Sequence, residues 1–230
     1  MSDVYVISGA SRGIGLELTR QLLDQGHQVF AGVRTPNKAT DLLALAQASG
    51  DRLSVLELDV SSTESVRRFA DAVSADHVDV LLNNAGVYLD GDAELGQVPP
   101  ETVLESLNVN SVGPLRMAQT FLEKLHRAKR PKVASITSLM GSIADNQGGG
   151  SVAYRMSKTA LNMFTKTLSI DEPGFVVLSL HPGWVKTSMG GPNAPVSVER
   201  SAQGLLSVIQ KASKENSGHF YNFDGRELPW

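Results

Sequence analysis

The chain contains no cysteine, which excludes disulfides, thiolate catalysis and cysteine-ligated metal. It also lacks a basic excess, its formal net charge being −3. A duplex-binding surface needs such an excess to neutralise phosphates, so nucleic acid is not an expected partner. No apolar run approaches the roughly 18 residues of a membrane span, and no membrane partner is expected. Only Met1, Ser2 and Asp3 precede the first apolar run, Val4 to Ile7. That leaves no room for the basic stretch and long apolar core of a secretory signal, so a cytoplasmic location is expected. There is no internal repeat, no linker and no second domain, and residues 1–230 read as a single domain.

What is present is ordinary for a globular chain: 41% hydrophobic and 20% charged residues over 230 positions, which sets disorder aside. Strand-like and helix-like segments alternate throughout. Short β-rich runs fall at Val4–Ser8, Gln28–Arg34, Leu53–Val60, Val78–Asn83, Lys132–Ser138, Phe175–His181 and Phe220–Phe223. Several are apolar on both faces, as in a parallel sheet covered on each side. Leu16, Leu18, Leu22 and Leu23 recur on one helical face that Gly26 closes. Ser61 with Glu64 reads as a capping box opening a later helix. Gly113 and Pro114 interrupt a long helical pattern from Glu101 to Arg127, which predicts a bend. The three glycines Gly148–Gly150 read as a mobile loop. The expected fold is α/β: a doubly wound, parallel, seven-stranded Rossmann-type sheet.

The first strand, VYVIS, runs directly into Gly9-Ala10-Ser11-Arg12-Gly13-Ile14-Gly15 and a helix. A tight glycine turn there lets main chain approach a pyrophosphate, while the helix N-terminus offers free N–H groups. The spacing is GxxxGxG, and an ordinary βα turn is the competing account; the position at the first βα junction favours the dinucleotide. The second strand then ends Gly32-Val33-Arg34-Thr35. NAD-binding chains of this fold usually carry a carboxylate there for the ribose 2′-hydroxyl. Here Arg34 instead offers a planar charged fork suited to a 2′-phosphate, with Arg12 on the other side and Lys38 as a weaker third candidate. The expected cofactor is NADPH.

Tyr154 and Lys158 are four residues apart in a helical stretch, and so share one face. A free tyrosine has a pKa near ~10 and is a poor proton-transfer group at neutral pH. A nearby ammonium is expected to stabilise the phenolate and lower that value. Ser138, at the end of the fifth apolar run, is placed to hydrogen-bond a substrate oxygen, since ligands bind beyond the carboxyl ends of the strands in such sheets. A turn or cap serine is the competing account. Ser11, Asn83 and Pro182 fall at other strand ends on the same rim.

With these residues in hand, the whole chain resembles the short-chain dehydrogenase/reductase family. Gly9-xxx-Gly13-x-Gly15 matches the family's coenzyme turn, Asp59-Val60 its acidic position near the adenine, and Asn83-Asn84-Ala85-Gly86 its NNAG motif. Asn110, Ser138, Tyr154 and Lys158 match its catalytic set. Pro182-Gly183, followed by Val185 and Thr187, matches the segment holding the nicotinamide end. Within the family the chain looks most like the carbonyl-reductase-like branch that includes C-factor and sniffer proteins and a fungal norsolorinic acid ketoreductase, through Met189–Pro195 and Phe223–Trp230. It departs from the usual pattern in the short segment Leu168 to Phe175, which contains Pro173 and Gly174.

The resemblance implies a reductase of ketones or aldehydes in which Tyr154 donates the proton. Lys158 would lower its pKa and hold the nicotinamide ribose, Ser138 would orient the carbonyl, and Asn110 would anchor a relay water. Leu139, Met140, Trp184 and Met189 are expected to line a site for a bulky, apolar or aromatic small-molecule carbonyl substrate. A homo-oligomer, dimer or tetramer, is expected, and no metal site. The alternative is a dinucleotide-binding sensor or signalling protein of the same fold with little turnover.

Overall fold

Buried on both faces, the apolar runs assemble into one sheet. The computed structural model describes residues 2–91 and 93–230, with β1 (Val4–Ser8), α1 (Gly13–Asp24), β2 (Gln28–Val33), α2 (Thr40–Ser49) and β3 (Leu53–Glu57) in the first half. There follow α3 (Thr63–Ala72), β4 (Val80–Asn83), α4 (Pro100–Leu107), α5 (Gly113–His126) and β5 (Lys132–Ile136). The chain closes with α6 (Val152–Asp171), β6 (Val176–His181), α7 (Val198–Lys211) and β7 (His219–Asn222). The seven strands lie in the order β3-β2-β1-β4-β5-β6-β7, and every pair is parallel. This is the doubly wound Rossmann-type sheet the alternation predicts. The order reverses between β1 and β4, which makes the carboxyl ends of those strands the place for a ligand crevice.

Each face of the sheet buries its own core. Leu18, Leu22 and Leu23 of α1 pack with Leu205, Leu206 and Ile209 of α7 over Ile7, Leu82, Leu178 and Leu180. On the other face Val66 and Phe69 of α3 meet Met117, Phe121 and Leu125 of α5 over Val6, Leu81, Val133 and Val177. Strand parity alone decides which face each residue serves.

The structure refines several local expectations. The strands β2, β3 and β5 end before their apolar runs do, because the last residues of those runs line or brace a cleft, and β4 begins two residues later than its run, at Val80. The cap of α3 is Ser62, whose hydroxyl accepts the Ser65 N–H at 3.2 Å, and not Ser61. Ser61 is drawn off by the Asp59 carboxylate at 2.6 Å, and Glu64 pairs with Arg68 instead. The expected bend near Gly113 is a π-helical turn, Asn108–Val112, joining α4 to α5. The helix α6 continues through the short segment to Asp171 before Pro173. The Gly148–Gly150 loop is held at two points, since the Arg155 guanidinium donates to the Gly149 and Gly150 carbonyls at 3.1 Å each.

Candidate active site

At the carboxyl edge of the sheet lies a cleft of about 430 Å³ that runs from Ser11, Arg12 and Arg34 at one end to Tyr154, Lys158 and Met189 at the other. Gly9, Gly13, Ile14, Gly15, Asp59, Val60, Asn84, Ala85, Gly86, Pro182 and Thr187 also line it. Sequence reading assigned no role in a cleft to Val33, Leu58, Ser61, Val87, Glu105, Val109, Ile136, Thr137 and Ser188, which complete its wall. Most of these carry small or apolar side chains with no motif around them.

The glycines of the first turn answer to packing. A Cβ on Gly15 would sit 2.3 Å from the Gly9 carbonyl oxygen and 2.5 Å from Asn84 Nδ2. One on Gly9 would meet the Ala85 Cα at 2.8 Å. The glycine turn and the Asn84–Ala85 segment are therefore pressed together, and hydrogen bonds lock them. Asn84 Nδ2 donates to the Ser8 and Gly9 carbonyls at 3.1 and 2.9 Å, while the Ser8 hydroxyl accepts the N–H groups of Asn84 and Ala85 at 3.1 Å each. Arg12 opens α1 in extended conformation with no side-chain cap. The first N–H groups of α1 are thus left for an anion, with the positive end of the helix dipole behind them.

Tyr154 and Lys158 sit in the first and second turns of α6, on the same face, and Lys158 Nζ is 5.7 Å from the Tyr154 ring centroid. Burial governs both groups. It pushes the Tyr154 phenol up to about 12, against the Ser138 side chain, whose hydrogen bond lowers it. It pulls the Lys158 ammonium down to about 8. The expectation that the lysine lowers the tyrosine's pKa is thus not met in the free protein. Desolvation of the phenolate outweighs an ammonium that is itself turned to the Ile136 carbonyl at 2.9 Å.

The first turn of α6 lacks a local cap. Ser151 precedes it at φ +48°, in the left-handed region, and its side chain makes no capping bond. The loop after β4 does the work: the Asp90 carboxylate accepts the Ala153 N–H at 2.7 Å, and the Tyr88 hydroxyl bonds Ser151 Oγ at 2.7 Å and the Gly91 carbonyl at 2.7 Å. The Tyr88 ring then stands 4.9 Å from that of Tyr154, tilted at 59°. Sequence reading missed Tyr88 and Asp90, because their partners lie some sixty residues away.

Asn110 and Ser138 brace the cleft from behind its wall. Asn110 sits in the π-turn, fully buried. Its Oδ1 accepts the Val87 N–H at 2.8 Å, and its Nδ2 donates to the Val87 carbonyl and to Ser157 Oγ, each at 2.9 Å. Ser157 in turn donates to the Tyr154 carbonyl at 2.8 Å, so one amide ties the post-β4 loop to the helix carrying Tyr154. Ser138 opens a 3₁₀ turn, Leu139–Gly141, and accepts the Met140 N–H at 3.1 Å. It is thus a capping serine and a hydrogen-bonding neighbour of Tyr154 at once.

The remaining expected residues divide. Met189 lines the cleft, whereas Leu139, Met140 and Trp184 do not. Trp184 is 57% exposed, with its indole N–H donating to the Gly190 carbonyl at 2.7 Å, so its ring covers its own loop. Gly183 is packed against Phe223, and Val185 is buried and bridged to Val196. Both shape the segment from behind. Among the described residues no group of histidines and carboxylates could hold a metal ion, and no helix is long and apolar enough to cross a membrane.

Comparison with known proteins places this architecture. The family model described as short chain dehydrogenase matches residues 3–195. The C-signal protein of Myxococcus xanthus is 45% identical over 167 residues, which cover 72% of this chain and all of the relative. The carbonyl reductase Sniffer of D. melanogaster superposes with a TM-score of 0.94 at 32% identity over the full length of both chains. A carbonyl reductase from chicken fatty liver, crystallised with NADPH bound, gives a TM-score of 0.93 at 31% identity, covering 100% of this chain and 99% of its own.

Proposed function

Because the chain belongs to the short chain dehydrogenase family, we propose that it is an NADPH-dependent reductase that converts a ketone or aldehyde to an alcohol. The observation that carries this reading is the cleft itself, which joins an uncapped helix end flanked by Arg12 and Arg34 to Tyr154, Lys158 and the adjoining Ser138. The donor set fits NADPH. Main-chain N–H groups at Gly13–Gly15 suit a pyrophosphate, and the arginines suit a 2′-phosphate at the end of β2, where no carboxylate stands. Asp59 and Val60 flank the adenine end, and Pro182 and Thr187 the nicotinamide end.

When bound, the nicotinamide supplies a hydride. The chain's own residues handle the oxygen that becomes an alkoxide. Ser138 Oγ, already accepting from Met140, donates a hydrogen bond to that oxygen and holds it. Tyr154 gives up its phenolic proton to the same oxygen. A pKa near 12 keeps it fully protonated at neutral pH, as a donor must be. Lys158 is charged below about pH 8, and so stabilises the phenolate left behind while holding the ribose. Asn110 keeps Val87 and the helix in register, and we assign it the anchoring of a relay water beside Lys158. The apolar exposure of Met189 at the mouth supports a bulky apolar or aromatic carbonyl.

A screen of aldehydes and ketones that follows NADPH absorbance tests the reading. Turnover with NADPH well above that with NADH supports it, and equal efficiency with both cofactors defeats the NADPH assignment. The name of the Myxococcus xanthus relative favours a second reading, a signalling protein that holds the dinucleotide. Tight NADPH binding without turnover on any carbonyl would select that one.

A further inference from the structure

The turn that carries Ser138 has one amide its own residues leave unsatisfied. Gly141 N–H donates to the Ser138 carbonyl at 2.8 Å and Met140 N–H to the Ser138 hydroxyl at 3.1 Å. Leu139 N–H donates outside the turn, to Nδ1 of His181 at 3.2 Å. His181 is the last residue of β6, the strand beside β5. The main-chain ladder between these strands is ending there. Ile136 lies opposite Leu180, and Thr137 N–H reaches the Leu180 carbonyl at 2.8 Å. The imidazole adds one more rung beyond the last that backbone supplies.

The ring is suited to this work. An Nδ1 that accepts must carry its proton on Nε2. Burial keeps the ring neutral by pulling its pKa down to about 4, so the accepting lone pair persists across the physiological range. The same residue also faces the other wall. Its carbonyl accepts the Phe223 N–H at 2.8 Å, and the chain passes directly into Pro182, which lines the cleft. The side chain of His181 holds the serine turn, and its main chain holds the strand end from which the nicotinamide-side segment departs.

From this geometry we infer that His181 is a positioning residue: its Nδ1 fixes the Leu139 amide and thereby sets the Ser138 hydroxyl against the substrate oxygen. The kinetic part of the inference rests on the reductase reading; the structural part does not. Removing the acceptor leaves a half-buried N–H unpaired and frees the turn to drift, which moves Ser138 without touching the glycine turn.

The test compares His181→Phe, which keeps a planar ring without an acceptor, with His181→Asn, whose Oδ1 can occupy the place of Nδ1. With p-nitrobenzaldehyde as substrate, His181→Phe is expected to lower kcat about tenfold, the scale of one lost hydrogen bond. NADPH Kd should stay unchanged, and His181→Asn should recover most of the rate. In a Ser138→Ala background, His181→Phe should cost almost nothing further, because the two act as one unit. Wild-type kcat in His181→Phe, no recovery in His181→Asn, or additive losses in the double variant would each overturn the inference. Should His181→Phe not fold, His181→Leu supplies the acceptor-free arm. Amide exchange at Leu139, followed by NMR, is the readout independent of turnover. Protection in the wild type and His181→Asn, lost in His181→Phe, is expected; equal protection in all three overturns the inference. If the wild type reduces no carbonyl at all, the reductase reading fails, and the exchange measurement still decides the role of His181.

Discussion

Around Gly9 to Gly15 the cleft is made of main chain, whereas around Tyr154 it is made of side chains delivered from several elements. In the first region contiguous residues pack against one segment, Asn84–Ala85, so closely that no Cβ fits at Gly15. In the second, Tyr154 and Lys158 come from α6, Ser138 from beyond β5, Asn110 from the π-turn, and Tyr88 and Asp90 from the loop after β4. A backbone-built site is held by close packing of main chain on main chain, which no rotamer change can relieve. A side-chain-built site is only as rigid as the hydrogen bonds that hold it, and here Asn110, Asp90 and Tyr88 supply them.

The sharpest separation of the two regions is expected from Tyr154→Phe. The ring still packs on Tyr88 but carries no proton, so kcat should fall by roughly 10²–10⁴ while NADPH Kd barely moves. Near-normal turnover would remove Tyr154 from the chemistry. Next in size, Arg34→Asp acts only on the backbone-built end. Charge-assisted contacts contribute about 1.5–3 kcal/mol each, so kcat/KM for NADPH should fall at least ~10-fold and the preference over NADH narrow or reverse. An unchanged cofactor ratio would refute the phosphate role.

Gly15→Ala tests the packing account directly. The added methyl meets backbone oxygen, and overpacking typically costs about 1–3 kcal/mol. Chemical denaturation should show that loss for Gly15→Ala and almost none for Gly148→Ala, where nothing lies within 4 Å. Equal stability of the two variants would mean that the turn is not close-packed.

The smallest effect is a change of slope with pH. The pKa of Lys158 is about 8 in the folded protein against an ordinary 10.5, so between these values the unfolded chain binds more protons. Stability from this group therefore rises with pH across that window and is lowest below it. Wild-type Tm should gain on that of Lys158→Met as pH rises from 8 towards 10, the interval in which the lysine loses its proton only in the folded state. A constant difference would place the ammonium in a better-solvated site than the one described.

The legibility of the sequence followed the same division. Short apolar runs and Gly26 located strands and the end of α1, because each of those signals lies within a few consecutive residues. The glycine turn was legible for that reason too. The end of β5 was overestimated, since Ser138 looks like strand by composition but leaves the ladder, after the Thr137 N–H, to cap the next turn and brace the cleft. Ser62 displaced Ser61 as a cap because a third residue, Asp59, captured the Ser61 hydroxyl. Trp184 was placed in a substrate wall by chain proximity, yet its own indole N–H turns it onto Gly190.

The sequence by itself determined the sheet's alternation, and it named the glycine turn with its two arginines and the set Asn110, Ser138, Tyr154 and Lys158 as candidates. Only the tertiary structure decided how that set is held and charged. Tyr88, Asp90, Ser157 and His181 carry no local pattern, and their partners are distant in the chain. Burial, which exists only once the layers have closed over α6, is what pushes Tyr154 up and Lys158 down. The physical reason is common to both: hydrogen bonds across the fold and desolvation depend on which surfaces meet, and a linear pattern specifies that meeting only through the whole fold.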